Sequence, residues 1–346
     1  MKKLIKFIFI LPVLFLIMLT VSCGSNNSYN FKYWNEVDSL TSLKQYVTDA
    51  TNEKSGNYIP KEDRIVTFDM DGTLVGELYP CYFEYLLFCH RVLDDTTYTK
   101  ATQKMKDTAN LIRKNKYTWN MKESSITLDH AEGQAQAFAG MTEAEFIKYV
   151  KDFANTNAEG FNNLKYIDAA YKPMIEVVDY LQKNDFTTYI VSGSDRFICR
   201  ALASEVFNVP YNQIIGMDTT ILGENQADTD GLSYQLAQGE AVVRGDSLLI
   251  KNLKMNKVVA ITKEIGKQPV LAFGNSSGDT SMLNYAINNT KYKGQGYMLI
   301  ADDIDRDYAN LEKAEELRQQ WVKNKFHVIS MKNDFKTIYG ENVVKQ

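Results

Sequence analysis

Apolar residues in this chain come in two rhythms. The first is a short, nearly unbroken run: Ile65-Val66-Thr67-Phe68 behind Arg64, then Phe186–Ser192, Gln213–Met217, Val270–Gly274 and Met298–Asp302. Runs that are apolar throughout, rather than at alternate positions, predict strands buried on both faces. The second rhythm is helical. Lys172–Lys183 sets Met174, Val177, Val178 and Leu181 in register, with Pro173 in the first turn, where its missing N–H costs nothing. Arg196–Phe207, Asn256–Ile265 and Asp305–Val322 read the same way. Strands alternating with helices predict an α/β fold, a parallel sheet covered on both faces.

Residues 77–163 break this alternation. Pro80–Leu93 and Thr97–Asn115 look helical, and Thr142-Glu143-Ala144-Glu145 is a capping box that opens another helix. No clear strand lies among them. A helical insertion of this size directly after the first strand predicts a cap over the site. Thr219–Leu253 differs again: Gly and Asp clusters (Gly223, Asp228, Asp230-Gly231, Gly245-Asp246) with alternating residues predict a β-hairpin flap. The expected division is a core of 61–76 and 164–346, a cap of 77–163, and a tether with an N-terminal helix over 23–60. That helix is amphipathic around Leu40, Leu43 and Val47.

The first 22 residues read as a signal peptide outside the fold. Lys2, Lys3 and Lys6 precede an apolar run from Phe7 to Val21, short for a membrane span and followed by polar Ser25-Asn26-Asn27-Ser28. Thr20-Val21-Ser22-Cys23 resembles a bacterial lipobox, with Thr20 where Leu is usual. The resemblance implies that Cys23 is the lipidated first residue of an exported lipoprotein, anchored to the cell envelope in the periplasm or outer membrane. A plain cleaved signal with Cys23 incidental is the competing reading.

Charge narrows the function classes. A formal charge of −4 and a pI of about 5.6 give no broad basic footprint for nucleic acid. The three histidines, His90, His130 and His327, lie far apart, which argues against a His-built zinc site and leaves oxygen ligands for any metal. Cys81 and Cys89, eight residues apart on one helix, are ~12 Å apart at 1.5 Å per residue. That exceeds the ~7 Å reach of a disulfide. A bridge from either to Cys199, or free buried thiols, are the readings left.

Chemistry concentrates at the ends of the predicted strands. Phe68-Asp69-Met70-Asp71-Gly72-Thr73-Leu74 closes the first one, and sites in open α/β sheets form beyond the carboxyl ends of strands. Two carboxylates two residues apart can divide labour between nucleophile and general acid/base, and Gly72 permits a turn that brings backbone amides close to a phosphate. A solvated Asx turn is the bland alternative. A calcium loop is not, because the later Gly and Glu spacing is missing.

Asp69-Met70-Asp71-Gly72-Thr73 resembles the first motif of the haloacid dehalogenase superfamily of phosphohydrolases, and three further motifs follow in order. Ile190-Val191-Ser192-Gly193-Ser194 resembles the second, which implies a phosphate site at Ser192 and Gly193. Asn256-Lys257-Val258-Val259 resembles the third, with Asn in place of Gly; Lys263 and Lys267 are nearby rivals to Lys257. Gly274-Asn275-Ser276-Ser277-Gly278-Asp279 resembles the fourth, whose pattern is Gly-Asp-x-x-x-Asp, so Asn275 stands where an acid is usual. Phe138-Ala139-Gly140-Met141-Thr142-x-x-Glu145 is similar to the phosphoserine-phosphatase-like branch.

The resemblance implies a Rossmann-like core and a Mg²⁺-dependent phosphatase acting on a small phosphorylated metabolite. Asp69 is then the nucleophile and Asp71 the general acid/base, with Asp69, Asp71, Asn275 and Asp279 as the metal set. A phosphotransferase of the same family, or a surface lipoprotein that binds without turnover, are the alternatives. Glu77 invites the binding of an amine, and Tyr79, Tyr82, Phe83 and Tyr85 a cationic head group, against plain packing of a cap helix. His130 reads as a cap-packing or exposed residue. The acidic run Ala301–Tyr308 resembles a stretch of exported members, against a solvated loop and helix start.

Overall fold

The chain enters the fold through α1 (Asp38–Thr51), which buries Leu40, Leu43 and Val47 as their spacing predicts, and then forms β1 (Ile65–Phe68). The computed structural model describes residues 29–77, 82–115 and 123–346. The signal segment, Cys23, Tyr79 and Cys81 lie outside them.

Helices follow β1: α2 (Phe83–Cys89), α3 (Gln103–Asn115), α4 (Glu123–Ala137) and α5 (Glu143–Ala154). After the two-residue β2 (Phe161–Asn162) come α6 (Lys172–Lys183), β3 (Thr187–Asp195), α7 (Arg196–Phe207), β4 (Ile214–Gly223) and β5 (Val242–Ile250). The last part holds α8 (Met255–Ala260), β6 (Leu271–Gly274), α9 (Thr280–Ile287), β7 (Gln295–Ile300) and α10 (Leu311–Lys323). It ends with β8 (His327–Ser330), α11 (Met331–Asp334) and β9 (Val344–Lys345).

Seven strands form the central sheet in the order β5-β4-β3-β1-β6-β7-β8. Every pair is parallel except β4 with β5, the hairpin expected from Thr219–Leu253. The chain builds outward from β1 in one direction and then returns to its other side with β6. The crevice beyond β1 is therefore where the strand order reverses, the place where open α/β sheets bind ligands.

All four residues of β1 and of β6 are buried, which explains their unbroken apolar character. On one face Phe68, Phe273, Tyr297 and His327 stack across four neighbouring strands at 4.4, 4.8 and 4.7 Å between ring centroids. Such offset stacks add to what burial alone contributes.

Several expectations shift. The helix expected from Thr97 begins at Gln103, and Pro80–Leu93 resolves into α2 followed by a wide π-turn over His90–Asp94. The helix expected from Asp305 starts at Leu311, because the Asp303 carboxylate draws the amides of Asp305 and Arg306 into a turn and Asn310 caps the helix instead. The acidic run before it is no solvated loop. Asp302, Asp303 and Asp307 are buried: Asp302 accepts from Ser330 at 2.6 Å and Arg318 at 2.8 Å, and Asp307 from Tyr339 at 2.8 Å. They tie the end of β7 to the C-terminal segment.

Candidate active site

Three strand ends build the site. Asp69 follows β1 directly and its amide donates to the Phe273 carbonyl of β6, so the first acid is fixed by the sheet itself (2.9 Å). Asp71 then enters a turn in which Gly72 has φ +77°, a conformation that favours glycine. A Cβ at Gly72 would meet the Asn275 Nδ2 at 1.9 Å, so this glycine is also where the end of β6 closes onto the turn.

Lys257, from α8, is fully buried and reaches between the strands. Its ammonium donates to Asp69 Oδ1 at 2.6 Å, Asp279 Oδ1 at 2.7 Å and the Val191 carbonyl at 2.6 Å. Its rivals sit elsewhere: Lys263 is exposed, and Lys267 pairs with Asp63 at 2.9 Å. Burial works against the charge on Lys257, but Asp279 and Asp69 outweigh it and hold the ammonium above its ordinary value. Asp69 is pushed up, by burial first and by Asp279 next, with Lys257 opposing.

Asp279 spends Oδ1 on the lysine and Oδ2 on the amides of Asn275 (3.1 Å) and Ser276 (3.0 Å) and the Ser276 hydroxyl (3.1 Å). Asp279, expected among the metal ligands, thus also holds the lysine and the turn.

Asp71 accepts from the Ser194 hydroxyl at 2.7 Å, and the Ser192 hydroxyl lies at 3.5 Å from the same oxygen. Its other oxygen, Oδ1, is buried without a hydrogen-bond partner. Burial pushes Asp71 up to about 7, the Ser194 bond opposing. A carboxyl that keeps its proton near neutrality suits a general acid. Ser192 is fully buried with its Oγ accepting from the Ser194 amide (3.1 Å), and Gly193 packs against Leu253, whose Cδ2 would lie 2.5 Å from an added Cβ.

The donor chemistry fits a hard divalent cation such as Mg²⁺. Asp69 offers a carboxylate, the Asp71 carbonyl accepts no backbone hydrogen bond among the described residues, and Asn275 offers an amide oxygen. Asp69 and Asp279 share Lys257, and burial raises Asp69, Asp71 and Glu77; a cation would offset the charge these acids carry when ionised. No three His, Cys, Asp or Glu side chains among the described residues make a ready-built cage, so the backbone carbonyl and the amide are needed.

Other residues gather here that the sequence did not single out. Glu84 of α2 accepts from Lys251 at 2.8 Å and from the Asp195 amide at 3.2 Å, and Asn252 donates to the Ser192 carbonyl at 3.0 Å. A lone acid inside the aromatic run Tyr82-Phe83-Glu84-Tyr85 was the one signal available for Glu84. His130 packs among the helices after β1, fully buried between Tyr85 and Phe88, with its Nε2 3.3 Å from the Glu84 carbonyl. Phe83, Tyr85, Cys89 and Cys199 are buried.

No curated relative matches the sequence. Among solved structures, a conserved protein of unknown function from Anaerococcus prevotii is 14% identical, with 88% of this chain and 95% of that one covered and a TM-score of 0.51. A protein of unknown function from Bordetella pertussis is 13% identical over 77% of this chain and 97% of its own, TM-score 0.47. A phosphoserine phosphohydrolase-like protein from Francisella tularensis is 16% identical over 77% and 94%, TM-score 0.40. At such identities likeness speaks to fold alone. The pattern of the haloacid dehalogenase-like hydrolases matches residues 66–284, from β1 into α9 and through all four motifs, and the chain belongs to that family.

Proposed function

We propose that this hydrolase is a Mg²⁺-dependent phosphatase of small phosphomonoesters, working through an aspartyl-phosphate on Asp69. The observation that carries the reading is the buried Lys257 bridging Asp69 and Asp279, with Asp71 two residues on and one of its oxygens free. Asp69 attacks phosphorus in line as the bond to the leaving oxygen breaks, and Asp71 gives that oxygen its proton. Asp71, now ionised, deprotonates a water that attacks the acyl-phosphate, releasing phosphate and restoring Asp69. Lys257 and the Ser192–Gly193 turn hold the phosphoryl oxygens. Asp69, the Asp71 carbonyl, Asn275 and Asp279 would hold Mg²⁺, whose charge would offset those oxygens.

The helices over 77–163 act as a cap enclosing a small metabolite from water, and a large protein substrate does not fit that role. Residues 1–22 direct export and Cys23 carries the lipid anchor; among the described residues no helix is long and apolar enough to cross a membrane.

The test is phosphate release from a panel of small phosphomonoesters by the full chain, beside Asp69→Asn. Release that stops with Asp69→Asn and with EDTA supports the reading. Release that persists in either removes Asp69 or the metal from the mechanism.

A further inference from the structure

The fourth motif lacks its first carboxylate, and the structure puts another acid beside the gap. Glu77, from the loop after β1, accepts a hydrogen bond from Asn275 Nδ2 at 2.6 Å, across 198 positions of sequence. Both side chains lie on the Gly72 turn, where an added Cβ would meet Asn275 Nδ2 at 1.9 Å and Glu77 Cγ at 2.8 Å. The turn that presents the Asp71 carbonyl is thus covered by this pair. The same place holds Asp71 itself, 8% exposed, with Oδ1 unpartnered.

An amide has one donor edge and one acceptor edge. With Nδ2 committed to a carboxylate, the acceptor Oδ1 of Asn275 is left for the opposite side. The carboxylate also polarises the amide it receives from, and its charge stands one hydrogen bond behind the place of the family's acid. Partners of this kind, behind a ligand rather than on the metal, fix ligand orientation and raise basicity.

We propose that Glu77 is a positioning residue for the cation: it orients Asn275 with its oxygen toward the metal and restores the negative charge the motif lost. The proposal rests on the Mg²⁺-dependent reading above. It also places Glu77 on the cation side of the site, rather than on the amine of a leaving group.

Mg²⁺ binding to the full chain in detergent micelles, measured by calorimetry without substrate, tests it. Mn²⁺ binding followed by electron paramagnetic resonance gives an independent readout. Glu77→Gln keeps an acceptor for the Asn275 amide and removes the charge, so affinity should fall by about 10-fold or more. Glu77→Ala removes both and should weaken binding further. Adding Asn275→Asp to Glu77→Gln places a carboxylate directly on the metal and should recover affinity to within about 3-fold of the wild type. Equal affinity in wild type and Glu77→Gln overturns the proposal, as does a double variant that stays weak while folded. Unchanged metal affinity with a raised KM for amine-bearing esters moves Glu77 to the leaving group and also overturns it. A wild type that binds no Mg²⁺ is a separate result and fails the metal-dependent reading itself.

Discussion

Lys257 donates every N–H of its ammonium inside the protein, to Asp69, Asp279 and the Val191 carbonyl. A phosphoryl oxygen arriving at Asp69 would take over one of these bonds from an ammonium already in place. Lys257→Met should therefore lower kcat by about 10²–10³, the scale on which lost oxyanion donors act. It should also lower stability by roughly 3–5 kcal/mol, because Asp69 and Asp279 are left as uncompensated buried charge. Steady-state kinetics and thermal unfolding of one sample check both; a variant that loses rate without losing stability would argue against the shared ion cluster. Gly72→Ala is the companion case. The position has φ +77° and no room before Asn275, so the alanine should displace Asn275 and cut kcat by about 10²-fold or more. A near-normal rate in that variant would show that the turn and the end of β6 need not meet.

At the scale of elements, the β4–β5 hairpin joins the helices after β1 to the sheet. Arg244 of β5 exchanges backbone bonds with the loop before α5: Gly140 donates to its carbonyl and its own amide donates to Met141, both at 2.8 Å. Its guanidinium forks onto Asp195 at 2.6 and 3.2 Å and lies 4.1 Å from the Phe146 ring. Asp195 in turn caps α7 through the Phe197 amide at 2.9 Å. Arg244→Met should lose roughly 3–5 kcal/mol by leaving Asp195 buried and unpaired. Arg244→Lys should recover little, since a point charge cannot reproduce the fork. Hydrogen exchange should quicken in α5 and α7 together, and an effect confined to β5 would undo this account of the hairpin.

The hairpin itself was legible, from Gly and Asp clusters between alternating residues. Arg244 and Lys251 were not, because their partners Asp195 and Glu84 lie 49 and 167 positions away. The same contrast runs through the fold. β1, β3 and β6 announce themselves because burial on both faces demands apolar runs, whereas β8 is a four-residue edge strand opening on His327, whose ring is apolar only in its stack on Tyr297. Ser194 stood in view beside Ser192, yet only the fold shows which hydroxyl lies closer to Asp71. Asn275 was visible as a departure; the acid beside it was visible only as a residue of another segment.

Across the whole molecule, buried charge sets how stability depends on pH. Burial raises Asp71 to about 7, Glu77 to about 7 and Asp307 to about 6 in the metal-free fold. A raised folded-state pKa means that the native state holds a proton the unfolded chain has lost. The stability tied to that proton is fully present below about pH 4 and is lost as pH rises through 6 to 7. His130 runs the other way: burial lowers it to about 4, so its contribution is present above about 6.5 and lost as pH falls toward 4. With Asp69 also raised to about 7, these acids outweigh the opposing His130 and the likewise lowered His327, so the metal-free protein should be more stable at pH 5 than at pH 8. In EDTA the Tm should rise by about 3 °C or more between pH 8 and pH 5. On the Mg²⁺-dependent reading the cation would compete with those protons at Asp69 and around Asp71 and Glu77, so a saturating amount should raise Tm more at pH 8 than at pH 5. His130→Gln removes the opposing term and should steepen the EDTA profile between pH 6.5 and pH 5. A Tm in EDTA that falls from pH 8 to pH 5 would mean that these carboxylates do not carry the excess charge the interior presents.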